Sequence, residues 1–222
     1  MLVDWSRVVN VFLDMDGTLL DLHFDNYFWL EHVPKRYAEQ QNISLEQSSK
    51  YLKTLYHDIQ GTLNWYCLDY WTNALDMDIA LLKEEVDHLI AVHPHVIDFL
   101  DEIRRHGKRV VMVTNAHEKS LSLKMEKTQL GGHFDRLITS HELGVPKEDV
   151  EFWSKLQSIE PFELSNTLLV DDSRSVLESA KRYGLEHIVA ISKPDSKQAV
   201  SAIDGFTCVE TFDGLIAELK AL

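Results

Sequence analysis

Short apolar runs at residues 8–13, 109–113, 136–139, 167–170 and 187–191 constrain this chain more than any other feature. They are rich in Val, Ile and Leu and lack polar alternation, the pattern of parallel strands buried on both faces. Helical stripes lie between them. Val96, Leu100 and Ile103, with Ile97, form one that Gly107 stops. Phe152, Leu156 and Ile159 form another. Val176, Ala180 and Tyr183 form a third, stopped by Gly184, and Phe212, Leu215, Ile216 and Leu219 form a terminal one. This alternation predicts an α/β fold with a doubly wound, mostly parallel, Rossmann-like sheet and a working site beyond the carboxyl ends of the strands. A length of 222 residues with 45% apolar content is ample for its core.

The alternation fails from about Leu20 to Val92. That stretch reads as helices over 26–41, 45–57, 65–75 and 79–91, the second behind a capping box of Ser44 with Gln47. A crossover between parallel strands needs only about a dozen residues. The excess predicts an all-helical cap, residues 21–92, inserted into a core built from residues 1–20 and 93–222. The cap carries Tyr27, Phe28, Trp29, Trp65, Tyr66, Tyr70 and Trp71. At helical spacings such rings mostly pack on one another.

A formal charge of −14 argues against nucleic-acid polymers and anionic membranes as partners. A small anionic substrate is compatible with it if positive charge is concentrated locally. The two cysteines, Cys67 and Cys208, have no metal-like spacing and fit a reducing cytoplasm. No leader pattern is present, and the run at 8–13 is far too short to span a bilayer, so a soluble cytoplasmic protein is expected.

The chemistry begins directly after the first run, at Asp14-Met15-Asp16-Gly17-Thr18. Two carboxylates two residues apart, a glycine turn and a hydroxyl can hold a divalent metal and leave one carboxylate free to attack. Three further pieces end later strands or lie in a loop between them. Thr114-Asn115 suits phosphate oxygens, Lys147 supplies a point charge after Pro146, and Asp171-Asp172 precedes Ser173. Together they suit phosphate-monoester chemistry, one of the slowest uncatalysed hydrolyses. A metal on Asp14, the Asp16 carbonyl and Asp172 (Asp171 behind it or in its place) would offset the dianion's repulsion. Lys147 and Thr114 would hold the other oxygens. Oxygen ligands favour Mg²⁺. Asp14 would be the nucleophile, and Asp16 the acid and then the base.

These four motifs resemble those of the haloacid dehalogenase superfamily, and the resemblance covers the whole chain. The superfamily's helical cap between its first two motifs corresponds to residues 21–92. Asp16 resembles the phosphatases and phosphomutases, because dehalogenases, phosphonatases and P-type ATPases lack an acid at that point. A narrower resemblance is to the bacterial GMP/IMP 5′-nucleotidase branch. It rests on Leu20-Asp21-Leu22, the segment from Phe24 to Trp29, and the segment from Thr62 to Trp71. Thr114-Asn115-Ala116-His117, Pro146-Lys147-Glu148-Asp149 and Pro194-Asp195-Ser196 also fit. The resemblance implies hydrolysis of purine nucleoside monophosphates to nucleoside and phosphate. An aromatic-rich cap could stack on a flat ring, with Asn26, Asn64 or Asp69 hydrogen-bonding its edge, and Asp25 and Asn26, which closely follow the first motif, could overhang the site. A sugar phosphatase or phosphomutase on the same scaffold is the alternative. A phospho-accepting receiver module is disfavoured because its acidic pair ends the first strand, whereas Asp171-Asp172 comes last here.

Overall fold

The computed structural model describes all of residues 1–222. Six strands, β1 (Asn10–Leu13), β2 (Arg109–Thr114), β3 (Arg136–Thr139), β4 (Thr167–Asp171), β5 (His187–Ile191) and β6 (Thr207–Val209), form one sheet of order β3-β2-β1-β4-β5-β6. Every pairing is parallel. The sheet is thus the doubly wound one expected, extended by β6. That three-residue edge strand is too short to give a run in the sequence.

Side chains alternate between two cores, as the period of a strand demands. Val11, Leu13, Val110, Met112, Leu168 and Val170 face one layer with Phe99, Leu100 and Ile103 of α7 (Val96–Arg105). Phe12, Val111, Val113 and Leu169 face the other, with Phe152, Trp153 and Leu156 of α10 (Val150–Ile159) and Val176, Leu177 and Ala180 of α11 (Arg174–Tyr183). Core helices α8 (Glu118–Thr128), α9 (Ser140–Leu143) and α12 (Asp213–Leu219) complete these layers. Gly107 and Gly184, at φ 66° and 110°, take the left-handed conformations that stop α7 and α11.

Residues 21–92 hold six helices, α1 (His23–Tyr27), α2 (Val33–Gln41), α3 (Leu45–Ile59), α4 (Leu63–Tyr66), α5 (Leu68–Leu75) and α6 (Ile79–Glu84). They close on a third apolar cluster around Phe28, Tyr56, Trp71 and Leu82. The capping box forms as expected, with Gln47 N–H donating to Ser44 Oγ at 3.2 Å and Ser44 N–H to Gln47 Oε1 at 3.0 Å.

Three expected helices are interrupted. The one over 26–41 widens into a π turn at Phe28–His32, since Pro34 has no N–H for the Leu30 carbonyl. The one over 65–75 breaks at Cys67, which is extended and caps α5 by accepting the Tyr70 N–H. The one over 79–91 stops at Glu84, and only a 3₁₀ turn, Asp87–Leu89, follows. There the backbone turns to pair instead. Asp21 N–H donates to the Ala91 carbonyl and His93 N–H to the Leu19 carbonyl, both at 2.9 Å. The outgoing and returning chains therefore run antiparallel at Leu20 and Val92. No helix is long and apolar enough to cross a membrane.

Candidate active site

The chain order reverses between β1 and β4, which opens a crevice at their carboxyl ends. Asp14 follows β1, its N–H donating to the Val170 carbonyl at 3.0 Å, and Asp171 ends β4. Gly17 then turns the backbone at φ +86°, and a Cβ there would fall 2.4 Å from Asp172 Oδ2. Only glycine lets the loop meet that carboxylate.

Lys147 ties these pieces together from 2% exposure. Its ammonium donates to Asp14 Oδ1 at 2.5 Å, Asp171 Oδ2 at 2.7 Å and the Val113 carbonyl at 3.0 Å. Asp14, Asp171 and Asp172 present ligand oxygens within 4.8 Å of one another. Three carboxylates against one ammonium leave an excess of negative charge, and oxygen donors alone suit a hard divalent cation. Burial pushes the Asp14 carboxyl up to about 7, with Asp171 adding to the rise against Lys147. Asp172 is pushed well above the usual range by burial and by its two acidic neighbours. Such protons are readily exchanged for a metal. The residues fit the divalent ion characteristic of this motif set.

Asp171 and Asp172 differ in what they touch. Both oxygens of Asp171 are engaged, by Lys147 and by the Ser173 N–H at 2.9 Å. The Asp172 carboxylate makes no ion pair and lines the cavity. Thr114 and Asn115 lie at the end of β2 beside Lys147. Thr114 Oγ1 accepts the Ala116 N–H at 3.0 Å. The Asn115 carboxamide is committed to the lysine loop, accepting the Lys147 N–H and donating to Glu148, both at 2.9 Å.

Asp16 faces a second lysine that the sequence reading missed. Lys124 Nζ of α8 lies 2.6 Å from both Asp16 Oδ1 and Asp25 Oδ2, and Lys83 Nζ of α6 lies 2.7 Å from Asp25 Oδ1. Burial would raise Asp25, but the two ammoniums hold it near 2. Burial and the Asp25 charge raise Asp16 despite Lys124. Lys124 itself is pulled up by the two carboxylates against its burial. A signal existed, since Lys124 shares the buried stripe of Ser120 and Leu121, and Lys83 that of Ile79 and Leu82.

Above the carboxylates opens a cavity of about 300 Å³. Asp14, Asp16, Lys147 and Asp172 line its floor, and Trp29, Tyr56, Trp65, Tyr66 and Trp71 its roof. Tyr66 Oη reaches across to donate to Glu148 Oε1 at 2.5 Å. Asp25 and Asn26 line the cavity as well, although Asp25 is ion-paired and Asn26 Nδ2 donates to Asp195 Oδ2 at 2.7 Å. Asn64 and Asp69 are not among the residues that line it. Asn64 is exposed on α4, whose Trp65 and Tyr66 take the inner face. Asp69 is half exposed and is drawn to Lys119 at 2.5 Å.

The sequence profile of the haloacid dehalogenase-like hydrolases matches residues 11–190. The GMP/IMP nucleotidase YrfG of Escherichia coli is 39% identical over 194 residues, covering 87% of each chain. A phosphatase of the same superfamily from Thermococcus onnurineus superposes with a TM-score of 0.77 at 22% identity, covering 95% of this chain and 97% of that one. The L-2-haloacid dehalogenase of Xanthobacter autotrophicus shares the fold, with a TM-score of 0.66 at 13% identity over 97% of this chain and 99% of its own.

Proposed function

Since the chain belongs to the haloacid dehalogenase-like hydrolases, we propose that it is a Mg²⁺-dependent 5′-nucleotidase that hydrolyses GMP or IMP through an aspartyl-phosphate. The observation that carries the reading is one continuous cavity with the Asp14, Asp172 and Lys147 cluster at its floor and indole and phenol rings at its roof. Phosphate chemistry needs the first, and a flat purine suits the second. The kinship with the E. coli GMP/IMP nucleotidase supports the choice of base.

Residues 1–20 with 93–222 act as the core and 21–92 as the cap, a division supported by the separate apolar cluster of the helical segment. Asp14, the Asp16 carbonyl and Asp172 would hold Mg²⁺. Asp172 serves because Asp171 spends both oxygens on Lys147 and Ser173. Bound there, the cation would supply charge neutralisation for the phosphate, so that an anionic carboxylate could approach it. Lys147 holds Asp14 Oδ1, fixing the nucleophile, and with Thr114 binds the phosphate oxygens. The Asp14 carboxylate attacks phosphorus as the bond to the 5′-oxygen breaks. Asp16, raised by burial, gives its proton to that oxygen and later takes one from the water that cleaves the aspartyl-phosphate. Asn26 at the cavity wall is the polar cap residue best sited for the base. The two free thiols fit a cytoplasmic enzyme.

The test is Asp14→Asn. Phosphate release from GMP should fall by roughly four orders of magnitude or more with the circular dichroism spectrum unchanged. Turnover within tenfold of wild type would overturn the mechanism.

A further inference from the structure

Beside the phosphate turn, and outside the carboxylate cluster, three softer ligands meet. The Cys67 Sγ and one ring nitrogen each of His117 and His141 lie within 4.8 Å of one another. Cys67 comes from the break between α4 and α5, His117 from the start of α8 and His141 from α9. The two imidazoles meet edge to face with centroids 4.9 Å apart. Nothing in the hydrolytic mechanism uses them.

His141 is the anomaly. Both of its ring nitrogens are shielded from solvent, and neither has a hydrogen-bond partner. A buried imidazole without partners forfeits the stabilisation that folded chains give nearly all such groups. Burial, with His117 beside it, holds His141 down at about 4, and burial also lowers His117. Imidazole donates a lone pair to a metal in its neutral form, the form that burial favours. A fourth donor is at hand. Asp69 Oδ2 lies 3.7 Å from His117 Nε2, while Lys119 occupies its other oxygen.

We propose that Cys67, His117, His141 and Asp69 form a second metal site that binds Zn²⁺, distinct from the aspartate cluster, and that the ion staples residues 21–92 to the sheet beside Thr114. Thiolate and imidazole donors select a borderline-soft ion over Mg²⁺. Zn²⁺ accepts such a mixed set tetrahedrally and does not oxidise the thiol. Zinc bonds of about 2.0–2.3 Å draw ligands to roughly 3.3–3.6 Å of one another, so closing Cys67, His117 and His141 from within 4.8 Å asks for side-chain shifts of about an ångström, and Asp69 swings in from beside His117. Binding releases the proton of Cys67, and His117 gives up its long N-cap bond from the Lys119 N–H, 3.4 Å, to free its ring. Two ligands come from each side of the cleft, so the ion restrains the roof of the cavity against its floor.

The experiment is metal titration of the stripped full-length chain in excess Mg²⁺, which occupies the aspartates. Zn²⁺ is followed by competition with a chromophoric chelator, and Co²⁺ by absorbance. One equivalent of each should bind, and Co²⁺ should show thiolate-to-metal charge transfer with the intense visible bands of a tetrahedral site. Cys67→Ser should abolish the charge-transfer band. His141→Ala should weaken Zn²⁺ by more than the roughly 10–100-fold that loss of an outer-shell partner costs. His141→Asn serves if the alanine variant misfolds by circular dichroism. Zn²⁺ affinity unchanged in Cys67→Ser and the His141 variant, or lowered only by Asp172→Asn, would overturn the proposal. It stands independently of the nucleotidase reading, because the readout is metal affinity and not turnover.

Discussion

Lys124 has 1% exposure and splits its ammonium between Asp16 and Asp25, each at 2.6 Å. Removing it leaves two partly buried carboxylates with one ammonium, that of Lys83, which pairs with Asp25 and not with Asp16. Lys124→Met should therefore mislocate Asp16 and cut kcat on GMP by about 10–100-fold, the usual scale for a displaced acid. The kcat/KM for p-nitrophenyl phosphate, which reports only transfer to Asp14 and whose leaving group needs no protonation, should fall much less than that for GMP. Equal losses on both substrates would make Lys124 merely structural. At this scale the sequence was most readable where chemistry demands a residue type at a strand end: Asp14, Asp16, Thr114, Lys147 and Asp172 all meet at one crevice. It was least readable where a charged residue is buried on a helix. Lys83 and Lys124 lie on stripes with buried residues, but the partners that neutralise them are distant in sequence.

The core strands were legible as elements because each is buried on both faces, which leaves an unbroken apolar run. Cap elements were less so, because their boundaries answer to tertiary demands. Pro34 widens one helix, Cys67 turns between two, and pairing of Ala91 with Asp21 ends the last. The polar cap residues suffered from the same blur, since a break at Cys67 changes which faces of α4 and α5 look inward, and Asn64 and Asp69 fell on the outside. Local signals survived where they are self-contained, as in the reciprocal bonds of Ser44 and Gln47. Ser44→Ala should cost about 1 kcal/mol in urea unfolding, with kcat on GMP unchanged. A loss below about 0.3 kcal/mol would mean that α3 is held by packing alone.

For the molecule as a whole, the buried carboxylates link stability to pH and to metal. Burial raises Asp14 to about 7 and Asp172 well above its usual value, so the folded chain holds these protons more tightly than the unfolded chain does. The contribution of Asp14 accordingly falls as pH rises from about 4, the unfolded value, towards about 7, and that of Asp172 falls as pH rises through its own raised range. Asp25, held near 2 by Lys124 and Lys83 against its burial, works in the opposite sense, stabilising above about 4 and losing that as pH falls towards 2. On the proposed reading Mg²⁺ would take the ionised form of Asp14 and Asp172, so saturating Mg²⁺ should raise Tm more at pH 8 than at pH 5. Equal gains at the two pH values would place Mg²⁺ elsewhere.

On the proposed reading the aromatic roof over a carboxylate floor favours a nucleotide over a sugar phosphate, because a purine lays a whole π face on indole whereas a pyranose offers only C–H contacts. The most direct measurement is kcat/KM across GMP, IMP, AMP and a set of hexose phosphates, with Mg²⁺ and again after chelation. The account predicts that GMP or IMP leads the panel and that phosphate release from it disappears on chelation. A clear preference for a hexose phosphate, or turnover that survives chelation, would contradict it.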